Sequence, residues 1–366
     1  MTDRTVAPDQ ITVRHQQLRT QTAALLHELI TPGSRCALVD FPMHANVGDS
    51  AIWLGERTLL SELGVDLTYV TDLRSFSESM LAKRVPAGTG TILLHGGGNL
   101  GDLWPHHQRL RERVLTAFPD HRVIQLPQSI HFNNPVNLDR ARAVFDAHPD
   151  LTLLVRDHLS LAVARRQFQA RSLLCPDLAF GITRPPHPNR AHYPVLWLSR
   201  TDHEAALRPL PVPGPGIWRT DWTASEGADP DWTTRLHAVQ RELSTTTPPP
   251  VQRLIELYDH HAQLHLQRGC RLLTSGRVVV TDRLHAHLLS LLLGLPHILL
   301  EDRHTKIRGF WETWTSDWLI ASWSSTPQQA LKKALTDAGR EPTPSAATPN
   351  PPCDRSHQAS STDVIF

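Results

Sequence analysis

The sequence predicts an α/β fold: two Rossmann-like, doubly wound domains in series, facing a shared cleft. Short apolar runs alternate with helical patterns along most of the chain, the signature of parallel strands joined by crossover helices. A Pro- and His-rich stretch, Arg184–Pro194, interrupts this alternation once, and it then resumes. With 366 residues, 40% of them hydrophobic, the chain can bury a sizeable core, and two cores rather than one. On this reading residues 1–184 form the first domain and 185–335 the second. Residues 336–366, rich in Pro and Ser with little core material, form a disordered tail.

Gln10–Ile30 reads as a first helix, stopped by Pro32 and Gly33. Cys36–Asp40 is an apolar strand, followed by a loop and an amphipathic helix near Ser50–Leu63. Leu67–Val70 and Thr91–His95 are the next strands, and the second runs straight into Gly96, Gly97 and Gly98. Arg122–Leu126 is a strand ending at Pro127. Leu151–Val155 and Ser172–Leu174 follow, each after a helical stretch. Val195–Ser199 opens the second set of elements. Pro211–Pro250 is heavy in Pro, Thr and Trp and predicts irregular ends. Val251, Leu254, Ile255, Tyr258 and Ala262 then recur at helical spacing. Val278–Thr281, His285–Leu293 and His297–Leu300 read as strand, helix and strand. Paired α/β units of this kind bind ligands between them, at the carboxyl ends of their strands.

Charge and cysteine usage exclude several classes. Lys+Arg number 37 and Asp+Glu 36, for a formal net charge of +1. No basic excess exists to hold a nucleic-acid backbone. Only Lys83, Lys306, Lys332 and Lys333 are lysines, so Lys306 stands out near the motifs below. Cys36, Cys175, Cys270 and Cys353 lie far apart, which argues against a zinc ribbon or a disulfide framework and for a reducing cytoplasm. Met1–His15 has no apolar signal-peptide core. The longest apolar run, Leu288–Leu300, is broken by Ser290, Gly294, Pro296 and His297, short of the roughly 20 residues of a membrane helix. The expectation is a cytoplasmic protein without a membrane span and with at most a peripheral membrane contact.

Five polar segments fall where predicted strands end. In Asn46-Val47-Gly48-Asp49-Ser50, Gly48 permits a tight turn and Asp49 or Ser50 suits a helix cap. The segment is either a polar lip with free amides or an ordinary strand-turn-helix joint. His95-Gly96-Gly97-Gly98-Asn99-Leu100-Gly101-Asp102 places four glycines in six positions, so that backbone amides could form an anion nest. It matches neither the dinucleotide fingerprint nor the Walker loop. Arg156-Asp157 directs an arginine toward the cleft, or forms a surface ion pair. Asp282-Arg283-Leu284-His285-Ala286-His287 is the sharpest segment. Arg283 can grip a carboxylate or phosphate through two parallel bonds, and His285 can exchange a proton near neutral pH. His287 faces away from His285 and reads as structural. Glu301–Lys306 is a charged loop at the same predicted edge. His106-His107 and His260-His261 form no HExxH pattern and read as solvated histidines, so no metal site is expected.

Taken in order, these segments resemble the polysaccharide pyruvyltransferase family. The matching pieces are Asn46-Val47-Gly48-Asp49, Gly96-Gly97-Gly98-Asn99 with Gly101-Asp102, Pro127-Gln128-Ser129, Arg156-Asp157, Pro176-Asp177, Asp282-Arg283-Leu284-His285 and Lys306. They span roughly Phe41–Phe310. The resemblance implies a two-domain, glycosyltransferase-B-like fold. It implies phosphoenolpyruvate as donor substrate, with no further cofactor, and a sugar or lipid-linked glycan as acceptor. Exopolysaccharide or cell-wall glycan synthesis is the implied setting. Arg156, Arg283, Leu284 and His285 match the family's donor-binding and catalytic positions. The candidate substrate-binding set is Asn46, Gly48, Asp49, Gly97, Gly98, Asn99, Asp102, Gln128, Ser129, Arg156, Arg283, Leu284 and Lys306, with His285 as the catalytic residue. Between Arg184 and Pro250 only Ser199-Arg200-Thr201-Asp202 shows the family pattern, and the tail is peculiar to this chain.

The chemistry follows from the donor. Phosphoenolpyruvate carries a carboxylate and a phosphate of about −1.5 to −2, which two arginines and loop amides would match. A neighbouring phosphate would favour the protonated ring of His285, which could then protonate the methylene carbon. Asp49 or Asp102 could take a hydroxyl proton. Two rivals share the fold class: a nucleotide-sugar glycosyltransferase and a non-catalytic binding protein. Against the first, the second domain lacks an acidic signature placed for a ribose. Against the second, it leaves Arg156, Arg283 and His285 without a chemical role.

Overall fold

The computed structural model describes residues 8–183, 185–186, 191–206, 209–223, 230–243 and 250–339. The expected linker at Arg184–Pro194 lies partly outside them, and the expected tail, 336–366, does so for all but residues 336–339. Among these residues the chain forms two parallel sheets flanked by helices, an α/β architecture. The first sheet contains β1 (Arg35–Phe41), β2 (Asp66–Asp72), β3 (Thr91–Leu94), β4 (Gly97–Gly101), β5 (Arg122–His131), β6 (Leu151–Val155) and β7 (Arg171–Leu174). The second contains β8 (Tyr193–Leu198), β9 (Ile217–Thr220), β10 (Gly276–Thr281), β11 (His297–Leu299) and β12 (Ala321–Trp323). The helices are α1 (Pro8–Leu29), α2 (Val47–Glu62), α3 (Glu78–Arg84), α4 (Pro105–Ala117), α5 (Pro135–Ala147) and α6 (His158–Gln167). They continue with α7 (Pro230–Leu243), α8 (Val251–Thr274), α9 (Leu284–Leu292), α10 (Lys306–Phe310) and α11 (Pro327–Ala338).

Both sheets are wound in the same way. The first has the order β2-β1-β3-β5-β6-β7, with β4 pairing against β5, and the second β12-β11-β10-β8-β9. In each, the chain lays its second strand on one side of the first (β2 on β1, β9 on β8). It then crosses to the other side with β3 or β10. The connections leaving the carboxyl ends of β1 and β3, and of β8 and β10, therefore diverge and open a crevice. The strands carry continuous apolar runs because helices cover both faces of each sheet; Cys36–Phe41 is buried throughout.

The core is not divided in two. The largest hydrophobic cluster runs from Leu38, Leu93 and Ile124 of the first sheet to Leu196, Val279 and Leu299 of the second. Ile52 and Trp53 of α2 and Ile255, Tyr258 and Ala262 of α8 fill the space between. Phe41 stacks on Tyr258 with ring centroids 3.9 Å apart, and Trp53 meets the same ring edge-on at 5.8 Å. Smaller clusters cover the outer faces. The expectation of two cores thus fails because the amphipathic faces of α2 and α8 are buried against each other.

Local expectations fail in four further places. Strand β5 runs through Pro127 to His131, because the pairing with β6 slips between Gln125 and Gln128 and the proline sits in that irregularity. The glycine run is a strand, β4, paired with β5 at Gly97, Leu100 and Gly101. Within Pro211–Pro250 the sequence reading missed β9 and α7. Helix α11 extends to Ala338, so residues 336–338 belong to it rather than to a tail. Among the described residues no helix is long and apolar enough to cross a membrane.

Candidate active site

A cavity of about 310 Å³ opens where the switch points of the two sheets meet. From the first sheet it takes His44, Asn46 and Asp49 after β1, Gly98 and Asn99, Trp104 and His107 at the start of α4, and Arg156 after β6. From the second it takes Arg200, Asp202 and Glu204 after β8, Trp222 after β9, Arg283, Leu284 and His285 after β10, and Asp302 and Lys306 after β11. A larger groove of about 480 Å³ lies at the opposite edge, near the amino ends of β5, β6 and β7. Its arginines are paired with carboxylates, Arg122 with Asp150 and Arg171 with Glu28. The carboxyl-end cavity is therefore the better site.

Arg156 and His285 meet over one buried carboxylate. Arg156 Nη1 lies 2.7 Å from Asp177 Oδ2, and its Nε donates to Ser129 Oγ at 3.0 Å. His285 Nε2 is 3.3 Å from the same Asp177 oxygen, close enough to attract but off the line of a hydrogen bond. Burial opposes ionisation of Asp177, yet His285, Arg156 and the Ala179 amide together hold its carboxyl far below the ordinary range. The other side of the ring presses on Gly48, where an added Cβ would lie 2.3 Å from His285 Nδ1. Gly48 thus provides room for the histidine. Helix α2 is capped by Asn46, whose side chain accepts from the Gly48 amide, and not by Asp49 or Ser50 as expected.

Arg283 is already gripped from within. Its Nε and Nη2 donate to Asp221 Oδ1 and Oδ2 at 2.5 and 2.6 Å, and Nη2 also lies 3.4 Å from Asp202 Oδ2. The fork expected to hold a ligand thus holds Asp221, because that buried acid needs a counter-charge. Burial opposes ionisation of Asp221, and the hydrogen bonds and charge of Arg283 lower its carboxyl nonetheless. Lys306 reaches across to the first sheet, donating to Gly98 O at 2.9 Å and to Glu204 Oε2 at 2.7 Å. Burial lowers the Lys306 ammonium against the pull of Glu204. Burial also opposes ionisation of Glu204, but Lys306 and Arg200 bring it down to about 2. An added Cβ on Gly98 would lie 2.9 Å from Arg156 Nη2 and 3.4 Å from Lys306 Nζ. Only a bare backbone fits between those two cations.

The glycine segment offers no open anion nest. The Asn99 and Leu100 amides donate to Gln128 Oε1, the Gly101 amide to Gln108, and the Gly96 amide to Glu56. Gln128 and Ser129 therefore act behind the cavity wall, Gln128 by shaping the turn at Gly97–Leu100 and Ser129 by holding Arg156. Asp102 lies outside the cavity and accepts from the Asn133 and Asn134 amides, which hold its carboxyl low although burial opposes them.

Sequence reasoning missed several side chains here. His107, read as solvated, lines the cavity with Nδ1 2.7 and 2.9 Å from the Asp40 carboxylate. His261, also read as solvated, is fully buried beside Phe41, and burial lowers its ring to about 4. His44 Nε2 lies 3.5 Å from Asp49 Oδ2. His95 pairs with buried Glu56 at 2.8 Å, and this charge raises the ring although burial opposes it. His287 bonds to His297 and Thr315 in the core, facing away from the cavity as its spacing implied. Only the Arg/Asp-rich text around residue 200 hinted at Asp202 and Glu204. Among the described residues no group of three His, Cys, Asp or Glu side chains is arranged to hold a metal ion.

Parallel sheets whose switch points converge on buried cations and a histidine beside a buried carboxylate define an α/β protein with a polar cavity at its strand ends. The sequence profile of the family described as "Polysaccharide pyruvyl transferase" matches residues 46–304, and the chain belongs to this family of transferases. Pyruvyl transferase 1 of Schizosaccharomyces pombe is 34% identical over 295 residues, covering 76% of this chain and 69% of that protein. EpsO of Bacillus subtilis, whose name also refers to pyruvyl transfer, is 29% identical over 300 residues, covering 81% of this chain and 90% of that protein. A functionally uncharacterised Klebsiella pneumoniae protein of known crystal structure superposes with a TM-score of 0.56 at 14% identity. It covers 84% of this chain and 99% of that one, a likeness of fold alone.

Proposed function

We propose that the protein transfers the enolpyruvyl group of phosphoenolpyruvate to two hydroxyls of a sugar, forming a pyruvate ketal and releasing phosphate. The observation that carries this reading is the convergence of Arg156, Arg283 and Lys306 on one cavity that also holds His285. Phosphoenolpyruvate presents a phosphate and a carboxylate on a three-carbon frame, and a cavity of about 310 Å³ has room for it beside part of a sugar ring. The two similarly wound sheets support a glycosyltransferase-B-like reading of the architecture. A nucleotide-sugar glycosyltransferase is not favoured, since Asp202 and Glu204, which line the cavity from the second half, are engaged by Arg200 and Lys306.

In this mechanism His285 protonates the methylene carbon, and C2 becomes electrophilic. One sugar hydroxyl forms the first C2–O bond and loses its proton. The C2–O bond to phosphate breaks, and its electron pair leaves with the phosphate. The second hydroxyl adds to the resulting oxocarbenium carbon and closes the ketal. Two hydroxyl protons are released: one replaces the proton spent by His285, and the other leaves on the phosphate. Arg156 through Nη2 and Arg283 through Nη1, the guanidinium nitrogens not engaged by Asp177 and Asp221, hold the donor's anionic groups, and Asp177 fixes the His285 ring.

The test is thermal unfolding with phosphoenolpyruvate, and separately with uridine diphosphate, for the wild type and Arg283→Ala. A ligand at about 100 times its dissociation constant adds about 2.7 kcal/mol of stability. Phosphoenolpyruvate is expected to stabilise the wild type and not the variant. Stabilisation by the nucleotide alone would transfer the reading to a glycosyltransferase.

A further inference from the structure

Ketal formation requires removal of protons from two hydroxyls, and the groups assigned so far supply an acid but no suitable base. Asp102 is outside the cavity. Asp49 accepts from Asn46 Nδ2 at 2.8 Å. Burial opposes its ionisation, but His44, His285, His95 and His107 surround it and hold its carboxyl low, so it is a weak base. Resting on the donor chemistry above, we propose that His107 is the general base that takes the proton of the attacking sugar hydroxyl, with Asp40 as its positioning residue.

Four observations converge on the pair. His107 stands in the first turn of α4 and lines the cavity. Its Nδ1 lies within 2.9 Å of both Asp40 oxygens, so Nδ1 carries the proton that Asp40 accepts. That leaves the lone pair on Nε2, which has no hydrogen-bond partner among the described residues. Asp40 itself is 5% exposed and has φ 83°, a left-handed conformation that is strained for a non-glycine residue. The fold thus tolerates a strained residue at the end of β1, and that residue presents its carboxylate to α4. The arrangement is the counterpart of His285 and Asp177 on the other wall: a histidine with one nitrogen directed by a buried acid. The charged and titratable groups around the dyad are His44 in the loop after β1, Asp49 of α2, His95 after β3 and Arg111 of α4.

In the step proposed, Nε2 takes the hydroxyl proton as the first C2–O bond forms. It releases that proton to the departing phosphate, then takes the proton of the second hydroxyl; this second proton passes through solvent to the spent His285 and restores both rings.

The test measures phosphate release from phosphoenolpyruvate with a panel of p-nitrophenyl hexopyranosides, for the wild type, His107→Gln and Asp40→Asn. Histidine side-chain nitrogen NMR runs in parallel. His107→Gln should turn over about 10²–10⁴-fold more slowly while phosphoenolpyruvate stabilises it as it does the wild type. In the neutral wild-type His107 ring the proton should sit on Nδ1, and Asp40→Asn should disturb that tautomer and lower turnover less. Turnover of His107→Gln within a few-fold of wild type overturns the proposal. So does a neutral His107 ring that carries its proton on Nε2; this readout holds even if no glycoside in the panel is accepted. Loss of phosphoenolpyruvate stabilisation in the wild type would instead refute the donor reading, which separates the two failures.

Discussion

The two walls of the cavity use opposite kinds of charge. The wall from β1 and α4 pairs histidines with acids, His107 with Asp40 and His44 with Asp49, and His95 pairs with Glu56 in the buried layer behind it. The wall from β8 to β11 pairs permanent cations with acids: Arg283 with Asp221, Arg200 with Asp202, and Lys306 with Glu204. Arg156 and His285 cross over, each lying on the wall of the other kind, and both face Asp177. Guanidinium groups keep their charge at any pH and suit the holding of an anion. Imidazoles change charge near neutrality and suit proton transfer. Under the proposed mechanism the contrast divides the cavity into a wall that holds the donor and a wall that moves protons, with His285 at their junction.

The strongest test of this division is at the junction. His285→Ala should lower phosphate release about 10²–10⁴-fold and leave the unfolding midpoint near that of wild type. Substantial turnover in the purified variant would remove His285 from the mechanism. Asp177→Ala should act on the fold as well as the site. It leaves Arg156 buried without its acid, and removing one partner of such a pair costs about 3–5 kcal/mol. Denaturant unfolding will measure this; a loss below about 1 kcal/mol would mean that solvent already reaches the pair.

The smallest effect expected is on the binding wall and depends on pH. Glu204 has its carboxyl near 2 in the folded protein and an ordinary value when unfolded. It therefore contributes stability above the ordinary carboxylate range and loses it as pH falls toward about 2. Glu204→Gln should unfold at lower temperature than wild type at pH 7, by about 1–3 kcal/mol in stability, and the gap should narrow as pH is lowered. A gap that is constant with pH would show that Glu204 acts by packing and not by charge.

Much of the fold could be read from the sequence, because buried parallel strands leave unbroken apolar runs. Cys36–Asp40, Leu151–Val155 and Val278–Thr281 all lie inside observed strands. The strand order could not be read, since pairing is set by contacts far apart in the chain. Pro127 misled because its tolerance in β5 depends on a slip of register with β6. At the site, the residues at strand ends were visible: Arg156, Arg283, His285 and Lys306 all line the cavity. Their partners were not. Asp221 follows a four-residue strand in a Pro- and Trp-rich stretch, and its pairing with Arg283 spans 62 residues. Asp40 looks like the polar end of a strand, and its role beside His107 appears only when α4 folds back over β1.

The continuous core has a consequence for recombination within the family. A chimera that took β8–β12 from a relative would also inherit that relative's α8. The foreign helix would then have to fit Phe41 and Trp53 of the host, where Tyr258 now stacks at 3.9 Å. The second sheet and the helix packing are thus inherited together, and an exchange of halves succeeds only between relatives that agree at this aromatic contact.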